Sequence, residues 1–191
     1  MDEHENASYL CRAAQAGDRA AASKLLRPYH EKIYVYFRRL CGSDSDAEDL
    51  TQWAFCKAWT SLPRFRNDSS FSTWLYQISY RIFLDWLRRP DREARQSDVW
   101  WERVPADAPS PFETAAKHEM AASVHRIVNT LDQDLQQAVH LHYYQGLSVT
   151  EVGEVTGVSV STLKYRLRSA RDRIRAELQQ ERAELKEVDY E

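Results

Sequence analysis

Between Gly157 and Arg175 six bases, Lys164, Arg166, Arg168, Arg171, Arg173 and Arg175, stand against one acid, Asp172, a local charge of +5. Lysine and arginine at this density neutralise phosphates and donate to the edges of bases, the chemistry of polyanion recognition. Nothing along the chain offers covalent chemistry. His140 and His142 are two apart and diverge on a helix, whereas His30, His118 and His125 have no ligand partner at a useful spacing. No Gly-rich phosphate loop occurs. Cys11, Cys41 and Cys56 are odd in number, lack a CxxC pair, and are expected to be buried or half-buried thiols. The expectation is therefore no enzyme, no metal and no cofactor. The formal charge of the whole chain is −3, because acids collect in Asp44 to Asp49, in mid-chain and toward the C-terminus. One basic face and one acidic face suit two different partners.

The elements that must carry these residues are helices. With 43% hydrophobic and 29% charged residues the composition is that of a soluble globular protein, and five Gly and six Pro leave room for long helices. No stretch approaches the roughly 18 to 20 apolar residues of a membrane span, and the polar MDEHENAS start is unlike a signal peptide. A cytoplasmic chain without membrane insertion is expected. A helical block from about Ser8 breaks at Gly17, and Asp18 can cap a second helix to about Leu40, bent near Pro28. Cys41-Gly42-Ser43-Asp44 reads as a turn. A third helix is expected over about Asp46–Ser61, stopped by Pro63, and a fourth over about Ser72–Arg89, closed by Pro90. From Asp91 to Phe112 the pattern fails among Pro105, Pro109 and Pro111, which describes a linker. Trp100-Trp101 within it is either a hydrophobe pinned to a neighbouring domain or a partner contact. A second helical domain follows, with breaks at Asp132, Gly146-Leu147-Ser148 and Gly157. The predicted fold is thus all-α, two small helical domains joined by a flexible linker: 1–95, linker 96–112, 113–178, and an acidic tail 179–191.

In the second domain LSVTEVGEVTGVSVSTLKYRL, Leu147 to Leu167, meets the requirements of a helix-turn-helix. Ser148 with Glu151 forms a capping box, Gly153 permits a close crossing, Gly157 supplies a left-handed turn, and Leu163 plugs the angle. Ser159 or Ser161 then opens the longer helix. There Leu163, Leu167, Ala170 and Ile174 must face the core, which leaves Lys164, Tyr165, Arg168 and Ser169 to read base edges in a major groove. The flanking Arg166 and Arg171 can neutralise phosphates, and Ser161 and Thr162 at the helix start complete the candidate DNA-binding set. An ordinary regulator could end in the same module, so the N-terminal half decides.

That half carries DAEDLTQWAFCKAWTSL, in which Ala47, Leu50, Ala54, Phe55 and Ala58 suit burial and Asp46, Glu48, Asp49 and Gln52 exposure. Next comes PRFRNDSSFSTWLYQISYRIFLDWLRR, with an inner stripe of Phe71, Leu75, Ile78 and Ile82. Trp74 and Trp86 suit the core, and the aromatics beside arginine on a polar loop suit stacking on single-stranded bases. DAEDLTQ, then FRNDSSFSTWLYQIS, a proline-containing linker, and LSVTEVGEVTGVSVSTLKYRLRSAR follow in the order found in extracytoplasmic-function (ECF) sigma factors of the sigma-70 family. The chain resembles them over about residues 18 to 178.

The resemblance implies an alternative sigma factor that binds core RNA polymerase and starts transcription at specific promoters. Residues 1–95 would hold the polymerase and recognise and open the minus-ten element, and residues 113–178 would bind the minus-thirty-five element. Glu48, Asp49 and Gln52 match the surface that docks on the beta-prime coiled coil; the beta flap is the other polymerase contact it implies. The loop Phe65, Arg66, Asn67, Asp68, Ser69, Ser70, Phe71 matches the loop that captures a base flipped from the non-template strand, with Gln77, Tyr80, Arg81 and Arg88 following on the minus-ten helix. Lys164, Tyr165, Arg168 and Ser169 match the major-groove readers. An anti-sigma factor is a further partner. Two departures stand out. Trp53 occupies a position where such proteins often have an acid and would add apolar contact to polymerase, and Arg81 stands where Asn is frequent and bears on which base is recognised.

Overall fold

The computed structural model describes residues 3–89 and 111–188. The linker core with Trp100-Trp101 lies outside them. The described residues are helical, and no strand occurs among them. They divide into two units, one of Met1–Asp98 with Thr150–Gly157, the other of Val99–Val149 with Val158–Glu191.

The first unit opens with α1 (Glu3–Gln15), ended by Gly17 at a φ of +97°. Asp18 caps α2 (Arg19–Leu26) by accepting from the amides of Ala20 and Ala21. Pro28 removes a donor where a single long helix was expected, so a 3-10 turn, Arg27–Tyr29, separates α2 from α3 (His30–Cys41). Gly42, left-handed at φ +69°, ends α3, and Ser43 caps α4 (Asp44–Ser61), two residues earlier than expected. Pro63 sits in a 3-10 turn, Leu62–Arg64, and after a loop Ser70 caps α5 (Phe71–Leu87), its Oγ accepting from the Thr73 amide at 3.1 Å.

Helix α4 is the centre of this unit, packed between α3 and α5. Ala47, Leu50, Ala54 and Ala58 recur at helical spacing and are fully buried. Three alanines on that stripe let the neighbouring helices approach closely, and Ile33, Tyr36, Phe37, Leu75, Tyr76 and Phe83 fill the remaining space. Two expectations fail here. Asp46 is buried rather than exposed, because it lies on the same face as Leu50 with its amide held by Ser43 Oγ, and Cys56 is exposed, on the opposite face to Ala54 and Ala58. Cys11 and Cys41 are buried as expected. The eight residues Thr150–Gly157 group with this unit: the Thr73 hydroxyl donates to Glu151 Oε1 at 3.2 Å and Gln77 Nε2 to the Glu154 carbonyl at 3.1 Å.

In the second unit α6 (Pro111–Thr130) and α7 (Gln133–Val139) pack on α9 (Val160–Val188). Val128, Leu131, Leu135, Val139 and Ala170 form the core, with Val124, Tyr144 and Ile174 against it. A single π-helical turn, His140–Tyr144, prolongs α7. Helix α8 (Val149–Thr156), which apart from Val149 groups with the first unit, starts directly after Ser148; Gly157 turns the chain at φ +75°, and in the second unit Ser159 Oγ accepts from the Thr162 amide to start α9. α9 continues through the segment expected to form a tail as far as Val188.

Candidate nucleic-acid interface

Charge along α9 is divided by helical position. Leu163, Leu167 and Ala170 face inward as the periodicity required. Arg166 and Arg173, seven residues apart and so two turns along one flank of that stripe, reach across to the start of α7. Arg166 pairs with Asp134, and Arg173 Nη1 meets Asp132 Oδ2 at 2.8 Å. Arg166, expected to contact a phosphate, has a side chain only 21% exposed and paired with that carboxylate.

The remaining bases are on the other flank. Lys164, Tyr165, Arg168 and Arg171 are exposed, Tyr165 at 71%, and no carboxylate among the described residues pairs with Lys164, Arg168 or Arg171. Tyr165, Arg168 and Ser169 line a shallow trough of 330 Å³ with Asp172, Arg173 and Ala176. Ser161 and Thr162 are exposed beside the Ser159 cap, their hydroxyls within 3.0 Å and 2.8 Å of its Oγ. A helix that leaves one cationic, hydrogen-bonding face uncompensated while neutralising its other arginines internally is equipped to meet an anionic groove.

The loop before α5 is held from beneath. Phe65 and Phe71 are each only 7% exposed; Phe65 lies 4.8 Å from the Trp74 ring centroid, and Phe71 meets the rings of Trp74 and Tyr29 at 5.5 Å. Gln15 Nε2 donates to the Phe65 carbonyl. Phe71 is thus on the inner stripe as its spacing required, and Phe65, matched to the base-capturing loop, is buried with it. Arg66, Asn67 and Asp68 are the exposed tip, with Asn67 in the left-handed region at φ +59°, while Ser69 and Ser70 are half-buried at the α5 cap. Along α5, Arg81 is exposed, Tyr80 half-buried, Gln77 engaged with Glu154, and Arg88 paired with Asp85 at 3.1 Å.

The acidic start of α4 divides in two. Asp44 accepts from the Tyr34 hydroxyl at 2.9 Å and from buried Arg38, which ties α4 to α3; burial, then that hydrogen bond, push the Tyr34 hydroxyl up. Glu48, Asp49, Gln52 and Trp53 are exposed one turn on. Glu48 and Gln52 border an open groove of 690 Å³ whose floor is largely apolar: Leu26, His30, Phe55, Cys56 and Trp59. Sequence reading passed over this groove, although Phe55 and Trp59 stand one turn apart on α4, outside its alanine stripe. Trp53 points elsewhere, and its ring carries the Arg89 guanidinium at 4.5 Å.

Both halves of the chain match known families. The family described as Sigma-70 region 2 matches residues 25–93, and Sigma-70, region 4 matches residues 121–174. An RNA polymerase sigma-H factor of Pseudomonas aeruginosa is 32% identical over 94% of this chain and 97% of its own length. The ECF RNA polymerase sigma-E factor of Escherichia coli is 30% identical over 91% and 95%. Among solved structures, CnrH in complex with the cytosolic domain of CnrY superposes at a TM-score of 0.66, with 22% identity over 91% of this chain and 97% of that one. The sigma factor RpoE of Bartonella quintana, solved with the anti-sigma factor NepR, superposes at 0.64, with 24% identity over 82% and 96%. Matches to both halves in one chain set aside the reading as an ordinary regulator, and the chain belongs to the extracytoplasmic-function group of the sigma-70 family, as an alternative sigma factor that directs transcription initiation.

Proposed function

We propose that three surfaces divide this work. The exposed α4 face of Glu48, Asp49, Gln52 and Trp53, with the apolar groove beside it, docks on the beta-prime coiled coil of core polymerase. The tip Arg66, Asn67, Asp68 with Ser69 and Ser70 captures a flipped minus-ten base, while Gln77, Tyr80, Arg81 and Arg88 line the strand beyond it. Lys164, Tyr165, Arg168 and Ser169 read the minus-thirty-five element in its major groove, Ser161, Thr162 and Arg171 contact its backbone, and the second unit also meets the beta flap. The protein acts in the cytoplasm and supplies no catalytic group, the chemistry belonging to polymerase. An anti-sigma factor holds it in reserve; one structure of the same fold, RpoE of Bartonella quintana, is a complex with a partner of that kind.

The observation that carries the reading is the division of charge on α9, Arg166 and Arg173 satisfied within the fold and Lys164, Tyr165 and Arg168 left outward. The deciding experiment addresses the other half. Asp49→Arg replaces attraction with like-charge repulsion at a complementary interface, a change worth about several kcal/mol. Core-polymerase affinity and promoter-directed transcription of the folded variant are expected to collapse. Affinity equal to the parent's would remove α4 from the docking surface.

A further inference from the structure

Two adjacent arginines end α5, and the fold treats them differently. Arg88 is paired with Asp85 on its own helix, whereas Arg89 lies over the ring of Trp53 on α4, 4.5 Å from its centroid, and no carboxylate among the described residues accepts from it. Trp53 is itself 39% exposed, so this contact is at the surface. A carboxylate partner holds an arginine by neutralising it and occupying its N–H groups. An indole face holds it without doing either, because stacking leaves the in-plane donors pointing outward and the charge intact. Such a guanidinium is fixed in place and still open to an anion. The α5 carboxyl end alone would account for a base at this position, but not for an exposed tryptophan from a second helix beneath it.

We infer that Trp53 is a positioning residue, and that it holds Arg89 as a sequence-independent contact to a promoter backbone phosphate at the end of the minus-ten helix. The inference rests on the reading that α5 faces promoter DNA. It gives Trp53 a part in DNA binding besides any contact it makes with polymerase, and it ties the helix that docks to the helix that reads.

Salt dependence separates these parts. Each phosphate contact adds about 0.7 to 0.9 to the slope of log affinity against log salt, depending on whether the strand is single or paired. Promoter affinity is measured between 50 and 200 mM salt for reconstituted holoenzyme at saturating core polymerase, with core affinity measured separately. Arg89→Ala is expected to lower the slope by about one contact. Trp53→Ala should reproduce most of that loss, Trp53→Phe should keep the parent slope, and Trp53→Ala with Arg89→Ala should lose no more than Arg89→Ala alone. Should Trp53→Ala fail to fold, Trp53→Met, apolar but without a ring, takes its place. A parent slope in Arg89→Ala or in the ring-less Trp53 variant, or additive losses in the double variant, overturns the inference, as does a Trp53 effect confined to core affinity. A parent holoenzyme that binds no promoter at all would instead overturn the underlying reading.

Discussion

Asn67 offers the sharpest test of the loop, because its backbone and its side chain can be separated. Its φ of +59° lies where an ordinary side chain costs roughly 1 to 2 kcal/mol and glycine nothing. Asn67→Ala therefore removes the amide and adds strain, and a loss of activity could come from either. Asn67→Gly removes the amide and relieves the strain; against that relief stands the greater freedom of glycine in the unfolded chain, about 0.5 to 1 kcal/mol, so the net change is close to zero. The flanking rings behave otherwise. Phe71 is buried against Tyr29, Phe65 and Trp74, and truncation to alanine should cost about 3 to 5 kcal/mol. That is a large part of the roughly 4 to 13 kcal/mol available to a unit of this size. Urea titration should thus give Asn67→Gly the parent's unfolding free energy, Asn67→Ala one lower by about 1 kcal/mol, and Phe71→Ala one far lower. In holoenzyme, Asn67→Gly should bind duplex promoter normally yet leave the minus-ten thymines unreactive to permanganate, and a pre-melted template should rescue it, since unstacking a base costs a few kcal/mol. A glycine variant that opens the promoter as the parent does would refute the assignment of the Asn67 amide to base capture.

Other expectations follow from the remaining contacts. Arg168→Ala should cost about 1 to 3 kcal/mol at the cognate upstream element and relax discrimination there, whereas Arg166→Ala should lower folding stability by about 1 kcal/mol or less with little loss of discrimination; the reverse pattern in binding assays would exchange their roles. Ser70→Ala removes the α5 cap and should cost about 1 kcal/mol in urea unfolding, with Ser70→Asp restoring most of it. Thiol alkylation followed by mass spectrometry should modify exposed Cys56 first and reach Cys11 and Cys41 only as the fold opens. Burial raises the Cys41 thiol from 9.0 to about 11, so the stability it contributes is fully present below pH 9 and drains away as pH climbs toward 11; Cys41→Ala should flatten that alkaline decline in thermal melts.

How much of this was legible in the chain depends on how local its causes are. Asp18, the Cys41-Gly42-Ser43-Asp44 turn, Pro63 and Gly157 act on neighbours within a few residues, and helix ends predicted from them fall within two residues of those observed. The inward stripe of α9 was readable for the same reason, since a period fixes a face. Pro28 was placed correctly but underrated, because one missing donor and the ring were enough for a 3-10 turn rather than a bend. What could not be read depends on partners far along the chain. Arg166 looks like any basic residue of its helix until Asp134 is brought beside it, and Phe65 looks like a loop aromatic until α5 supplies Trp74. Asp46 and Cys56 were misjudged for the complementary reason, residue type having been preferred to the position each holds on α4.

The paired arginines of α9 have a consequence for redesign. Arg166 and Arg173, anchored two turns apart, set the rotation of the helix about its own axis without drawing on any of the outward side chains. On the function proposed above, orientation and recognition fall to separate residues, and Lys164, Tyr165, Arg168 and Ser169 form a cassette that can be exchanged as a set while the helix stays docked. One residue inserted between the anchors would turn everything beyond it by about 100° and bring one anchor out of register. Recoding promoter choice in this scaffold therefore calls for substitutions at fixed length, and length changes belong outside the span from Arg166 to Arg173.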